Sequence, residues 1–278
     1  ETFSSPGLDF VTGFQPSTAW LDRAAAKDWI TDDIFLNQQF IRDSTQTLDI
    51  RLTLEPFRDF RIDVTANKNF SKNRTEFFKV RDLNSTVHEH LNPRDVGSYS
   101  VTFFSLNTMF VKFDAQSNTS TLFKAFEENR AIISERLGLT GNTHAIDGGY
   151  EEGYGRFQQD VLIPSFIAAY TEKSPDDISL NLFDRLPKPN WRLSYNGLSK
   201  LDIFKDIFSS VNITHGYSSK LSVNSFITDL DYDPNDPFNF NPITANYFTE
   251  FEIPDLVITE QLQPLIGIDV RLKNEMTA

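Results

Sequence analysis

The side chains best suited to chemistry lie in three short strings, and their spacings exclude more than they offer. DLDYDPN sets Asp229, Asp231, Asp233 and Asn235 at alternate positions, as the oxygen ligands of a calcium loop are set. Pro234 stands where an EF-hand needs glycine and Phe240 where it needs glutamate, so this is no EF-hand. An irregular calcium site in an external loop stays open beside the plainer reading of an acidic, solvated turn. HEH puts His88 and His90 on one side of an extended segment as a possible metal pair, but no third ligand follows at a recognisable spacing. Loop histidines are the plainer reading. Glu151 and Glu152 are adjacent, so in a strand they point apart and cannot hold a glycosidase separation. The same two carboxylates make the Gly-rich stretch 147–155 a poor phosphate cradle. With four His and no Cys, no nucleophile and base constellation is supported. No catalytic residue and no cofactor is therefore expected.

What remains is pattern. In NWRLSYNGL, Trp191, Leu193 and Tyr195 alternate with Asn190, Arg192, Ser194 and Asn196, the period of a strand with one apolar and one wet face. In VNITHGYSSKLSV, Val211, Ile213, Tyr217, Leu221 and Val223 share a face, interrupted by His215 and Ser219. Asn212, Thr214, Ser218 and Lys220 share the other. Leu48, Ile50, Leu52 and Leu54 alternate with polar residues before the tight turn PFRDF at 56–60, and Ile62, Val64 and Ala66 alternate after it. If Leu54 opposes Ile62, every apolar side chain of this hairpin falls on one face. These segments approach the roughly 9 to 11 residues of a bilayer-crossing strand, although a soluble sandwich shows the same alternation.

Composition narrows the choice. The 278 residues include 39% apolar residues and 26 Phe, enough for one large all-β domain, but no window of about 18 apolar residues that could cross a membrane as a helix. A net charge of −13 without clustered Lys or Arg argues against a nucleic-acid partner. The chain starts at Glu1 and stops at RLKNEMTA just after a strand-like run, so it is expected to be a piece of a longer polypeptide.

Along the chain, residues 1–33 read as loop and short helix, with Ser17 as cap ahead of Trp20, Leu21, Ala24 and Ala25. Residues 34–112 read as a hairpin region, with a strand at 98–112 whose Phe103–Phe104 pair hints at a bulge. Residues 113–189 read as a helical insertion: one helix from Asn118 to Gly138, capped near Asn118 to Ser120 and ended by Gly138, and a short buried one at 161–170 with Pro164 in its first turn. Residues 190–228 form the strand pair, 229–255 an acidic loop, and 256–274 a last strand or hairpin broken at Pro264.

Several of these strings, PGLDFVTGFQP at 6–16, VLIPSFIAAY at 161–170, LPKPNWRLSYNGL at 186–198, ITHGYSS at 213–219 and ITEQLQPLIGIDVRLKN at 258–274, occur in an order that resembles the C-terminal part of the SprA/Sov family, the outer-membrane translocons of the type IX secretion system in the Bacteroidota. The resemblance covers nearly the whole chain. It implies an antiparallel transmembrane β-barrel segment, part of a very large barrel with helical insertions in long extracellular loops. It further implies a lumen that passes folded secreted cargo, gliding adhesins among it, with a periplasmic plug protein and an outer-membrane barrel partner that receives cargo. On this reading Leu48, Ile50, Leu52, Leu54, Ile62, Val64, Trp191, Leu193, Tyr195, Val211, Ile213, Tyr217, Leu221 and Val223 face lipid. Asn190, Arg192, Ser194, Asn196, Asn212, Thr214, Ser218 and Lys220 face the lumen. Short turns such as PFRDF lie in the periplasm, residues 71–97 and 113–189 are extracellular loops, and the helices cap the pore or line its mouth. The alternatives are a secreted or surface β-module that binds glycan or calcium, and a fragment of a TonB-dependent transporter barrel.

Overall fold

The computed structural model describes residues 19–116, 119–141, 145–146 and 148–273. Ser17, the string at 6–16 and the last residues after 273 lie outside the described residues. Two compact units form, Glu1–Thr45 with Ser71–Gly97, and Gln46–Phe70 with Ser98–Ala278.

The first unit combines a short helix α1 (Ala19–Ala25), which buries Leu21 and Ala24, with parts of three strands: β1 (Phe40–Phe57), β2 (Phe60–Val80) and β3 (His88–Thr102). Residues 71–97 are therefore a β-ribbon with a turn near 81–87, not the long loop expected from sequence. Their interior is partly ionic. Glu76 is fully buried and accepts from Arg74 Nε at 3.3 Å, and Asp95 takes Lys72 at 3.1 Å and Arg74 at 3.6 Å. Buried carboxylates survive folding only when paired in this way.

The second unit is an antiparallel sheet of five strand positions in chain order, each hydrogen-bonded to the next. Residues 46–57 of β1 and 60–70 of β2 form the first hairpin, turning through Arg58 and Asp59, and Thr53 Oγ1 donates to Asp63 at 2.6 Å. That contact is what a register with Leu54 opposite Ile62 requires. The third position is shared by the end of β3 and by β4 (Asn190–Tyr195), both paired to β2. The fourth is β5 (Phe208–Thr228), 21 residues long. The fifth holds β6 (Val257–Leu262) and β7 (Gly267–Leu272), both paired to β5. The last segment is thus one strand position, not a hairpin. Leu262 faces Tyr217 and Gly267 faces Thr214, so four residues, 263–266, oppose two. Two extra residues preserve the period of two, and Ile258, Leu262, Ile268 and Val270 stay on one face.

The third position is spliced. Phe103 N donates to Ser219 O, and Asn190 takes the next place, between Trp191, which pairs with Tyr217, and the Ser219 N–H that Asn190 Oδ1 accepts. On the other side Asn190 pairs with Thr65, while Asn67 N donates to Thr102 Oγ1. Phe103 and Asn190 therefore occupy consecutive register places although 86 residues separate them, and Lys188 N closes the neck on Thr102 O at 2.9 Å. The Phe103–Phe104 break is the chain leaving the sheet, not a bulge within it.

The excursion folds as two helices, α2 (Thr121–Gly141) and α3 (Gln159–Thr171). Ser120 Oγ accepts from Phe123 N and caps α2, whereas Gly138 lies inside the helix rather than ending it. A Cβ there would fall 2.2 Å from Glu151 Cγ, so glycine serves close packing. Gln158 caps α3, which places Pro164 in mid-helix instead of the first turn. Ile133, Ile167 and Ala168 of these helices, with Ile178 and Leu182, pack onto Tyr99, Val101, Phe103, Leu221, Val223 and Phe226 of the sheet to make the main core.

Candidate functional site

Alternation gives the sheet of the second unit two unlike faces, and both are surfaces of interest. On the polar face, Asn67, Asn69, Ser100, Thr102, Asn190, Ser218, Lys220, Ser222, Thr259 and Gln261 line a hollow of about 500 Å³. A second of about 340 Å³ shares Asn190, Ser218 and Gln261 with it and continues past Asp63, Thr65, Arg192, Gly216 and Gln263. Register explains the assembly. Arg192 lies opposite Asp63, Lys220 opposite Thr259, and Ser218 opposite Gln261. The result is a trough of amides and hydroxyls, with a few charges and no histidine. Such a surface offers donors and acceptors to water and to any passing polar chain, and Val101, Trp191 and Tyr217 add apolar atoms to its lining.

Most of the residues expected on this wet face are there. Asn190, Arg192 and Ser218 line the trough with Lys220. Asn190 is also a pin, since its amide oxygen holds Ser219 N. Ser194 sits between Arg61 and Thr214, and Asn212 pairs with Asp269. Two expectations fail. Thr214 is buried, because Gly267 and Pro264 of the bulge lie against it, so it meets protein rather than an open lumen. Asn196 stands beyond the end of β4, its backbone N–H on Asp59 O, and belongs to the turn rather than the wall.

The apolar face divides along its length. Leu48, Ile50, Leu52 and Leu54 on β1 are each 42–50% exposed, while Ile62, Val64, Trp191, Leu193, Tyr195 and Ile213 are half-buried by one another. Val211 is buried beside Val270. Further along β5 the expectation of lipid gives way. Leu221 and Val223 belong to the core under α2 and α3, and Tyr217 is 2% exposed, stacked 4.4 Å from Trp191, with Phe104 against it. Tyr217 Oη also donates to Glu260 and accepts from Ser105 N. Protein covers Leu221 and Val223 because the inserted helices return onto the sheet's apolar side, and Tyr217 because Phe104 and Ser105, where the chain leaves the sheet, lie against it. For the same reason α2 and α3 neither cap nor line the polar side.

Aromatic rings mark both ends of the uncovered strip. Phe57 and Phe60 stack at 4.8 Å with Tyr195 edge-on at the turn, and Trp191, Tyr217 and Phe104 cluster where the helical cover begins. From Phe60 to Ala66 the strip runs about 20 Å, and from Leu48 to Phe57 about 30 Å, at roughly 3.3 Å per residue. The apolar band of an outer-membrane barrel is about 25 Å tall. Phe57, Phe60, Ile268 and Val270 were missed by sequence reading. The period of two finds Phe60, Ile268 and Val270, whereas Phe57 is out of phase with Leu54 and reaches Phe60 only through the turn.

The other candidates come apart. Asp229 and Asp233 accept the N–H groups of Asp231 and Asn235 in short turns, and no set of three or more His, Asp or Glu is gathered for a metal among the described residues. His88 and His90 do share a side, but on strand β3 rather than in a loop. Both rings lie against Phe78, His88 Nε2 meets Thr31 O, and His90 lies between Glu76 at 2.6 Å and Asp22 at 3.2 Å. Glu151 is tied by its backbone to Ser134 Oγ beneath α2. In the insertion, burial raises the Asp160 carboxyl above the usual range, against a lowering hydrogen bond from Gln158, and pushes Tyr154 up to about 12.

No family model and no curated protein matches this chain.

Proposed function

We propose that this chain is a wall segment of a protein-conducting β-barrel in the bacterial outer membrane, the translocon of a type IX secretion system, as its likeness to the SprA/Sov family implies. The observation that carries the reading is the pairing of opposite faces. One sheet presents a bare apolar strip bracketed by aromatic rings, and directly behind it a trough of Asn, Gln, Ser and Thr. Next-neighbour antiparallel order is the connectivity of an up-and-down barrel, and the apolar strip is the surface such a wall gives to lipid. The trough then faces the lumen, where folded secreted cargo, including surface adhesins, slides past a wettable wall.

The inserted helices take a defined place in this scheme. They cover the apolar side of the sheet beyond the strip, so they lie outside the wall, at the bilayer's outer surface, and leave the pore open. A periplasmic plug protein and a cargo-receiving barrel partner complete the apparatus.

Detergent dependence tests the reading. The chain should be monodisperse only above the critical micelle concentration of a mild detergent such as dodecyl maltoside, and should self-associate through the β1 strip below it. A monodisperse, folded chain in plain buffer would remove lipid as the neighbour of Leu48, Ile50, Leu52 and Leu54. A calcium-binding module gains little support, because Asp229 and Asp233 are engaged in backbone turns.

A further inference from the structure

The link from β4 to β5, residues 196–207, does more than connect strands. Tyr195 points to the apolar face beside Phe57 and Phe60, and Gly197 is pressed against its ring so closely that a Cβ would lie 2.6 Å from the phenol oxygen. The chain therefore leaves the sheet over its apolar side. It is clamped there, with Asn196 N on Asp59 O and Lys200 Nζ on Asp59 Oδ1 at 2.5 Å. It then winds in turns that bond part of its own backbone, Phe204 N and Lys205 N both bonding to Leu201 O and Phe208 N to Phe204 O. Lys205 is neutralised by Asp202 at 2.8 Å. Yet three of its apolar side chains stand out from the fold: Leu201 is 46%, Ile203 79% and Ile207 54% exposed.

We infer that this segment is an interfacial anchor that lies in the bilayer surface at the short-turn end of the wall and embeds Leu201, Ile203 and Ile207 among phospholipid chains. The inference rests on the wall reading and adds a second lipid contact to it. Two features choose lipid over another protein: continuity with the apolar strip through the Tyr195, Phe57 and Phe60 cluster, and lysines paired with carboxylates. Aromatic rings beside it sit at the depth where such rings gather in membranes.

The absence of cysteine from the sequence makes the test clean. Single cysteines at Ile203, Leu193 and Lys220 of the intact chain would carry an environment-sensitive dye in phosphatidylethanolamine–phosphatidylglycerol vesicles. Quenching is then read with lipids spin-labelled near the headgroup or deep in the acyl chain. The dye at Ile203 should be quenched at least twofold more by the shallow label, that at Leu193 by the deep one, and that at Lys220 by neither. Quenching at Leu193 with none at Ile203 would overturn the anchor and leave the wall standing. A blue-shifted but unquenched dye at Ile203 would mean a protein cover, a second copy included, and would also overturn it. Loss of quenching at both positions would overturn the wall reading and the anchor with it.

Discussion

Leu193 and Ser194 are neighbours in sequence and opposites in surroundings, which makes them the sharpest pair at the scale of single residues. Leu193 lies between Ile62 and His215 on the apolar face, midway between Trp191 and Tyr195, while Ser194 faces Arg61 across the polar one. Leu193→Arg should cost about 2 to 4 kcal/mol if its neighbour is hydrocarbon. Ser194→Glu, which sets a carboxylate opposite Arg61, should leave stability unchanged within about 0.5 kcal/mol. Urea titration of the chain folded in lipid vesicles measures both, and equal losses would contradict the assigned faces. Gly138→Ala should cost about 1 to 3 kcal/mol through overpacking against Glu151, read as a lower melting temperature of the insertion. Asp160 gives a pH signature. Its carboxyl is raised by burial, so the folded state favours the proton, and stability from this group is full in acid and falls as pH rises through the raised value. Asp160→Asn should therefore melt higher than the parent at pH 7, with the difference vanishing at low pH. Strand faces were legible in the sequence because alternation is a local property. Gly138 was misread as a helix stop because its true reason, the approach of Glu151, lies 13 residues away and leaves no local mark.

At the scale of elements, the spliced strand is what sequence could least disclose. The alternation of Tyr99, Val101 and Phe103 resumes with Trp191, Leu193 and Tyr195, but only pairing with the unbroken β2 and β5 shows that the two runs are one position. Sequence reading saw the break at Phe104 and gave it the commonest local cause. Joining Phe103 to Asn190 and deleting 104–189 should therefore keep every register place. Amide exchange at 213–217 of β5, paired with β4 on one side, should remain as slow as in the parent chain. Removing α2 and α3 at the same time uncovers Tyr99, Val101, Leu221 and Val223, so the shortened chain should bind an apolar dye such as anilinonaphthalene sulfonate several-fold more strongly. Faster exchange throughout β5 would show that the insertion holds the sheet together rather than interrupting it. The helix pair itself was legible from its spacing. Its destination was not, since an amphipathic helix shows that it has an apolar face but not which sheet receives it.

For the molecule as a whole, the trough and the strip impose contrary demands on one sheet, and alternation meets both with a single strand design. The family resemblance suggested such a wall before any geometry, but the division of the apolar face into an exposed strip and a part covered by the inserted helices follows from topology alone. If the trough is the surface past which cargo moves, its value lies in weak contact. Asn69 and Ser222 line it without the structural bond that Asn190 makes to Ser219, so they can be changed without disturbing the register. Asn69→Leu with Ser222→Leu adds two apolar side chains to the wall. Each is worth about 1.5 to 3 kcal/mol when buried against an apolar patch on a passing protein. Because about 1.4 kcal/mol is a tenfold change in dissociation, partial burial of the pair is enough to lengthen residence tenfold or more. Cells carrying the double variant should keep the normal amount of assembled barrel in the outer membrane while export of cargo falls about tenfold, with cargo trapped in cross-links to position 220. Asn69→Gln with Ser222→Thr keeps the surface polar and should export normally. If the leucine pair exports at the parental rate with the barrel assembled, the trough does not touch the cargo, and the lumen must be assigned to another face.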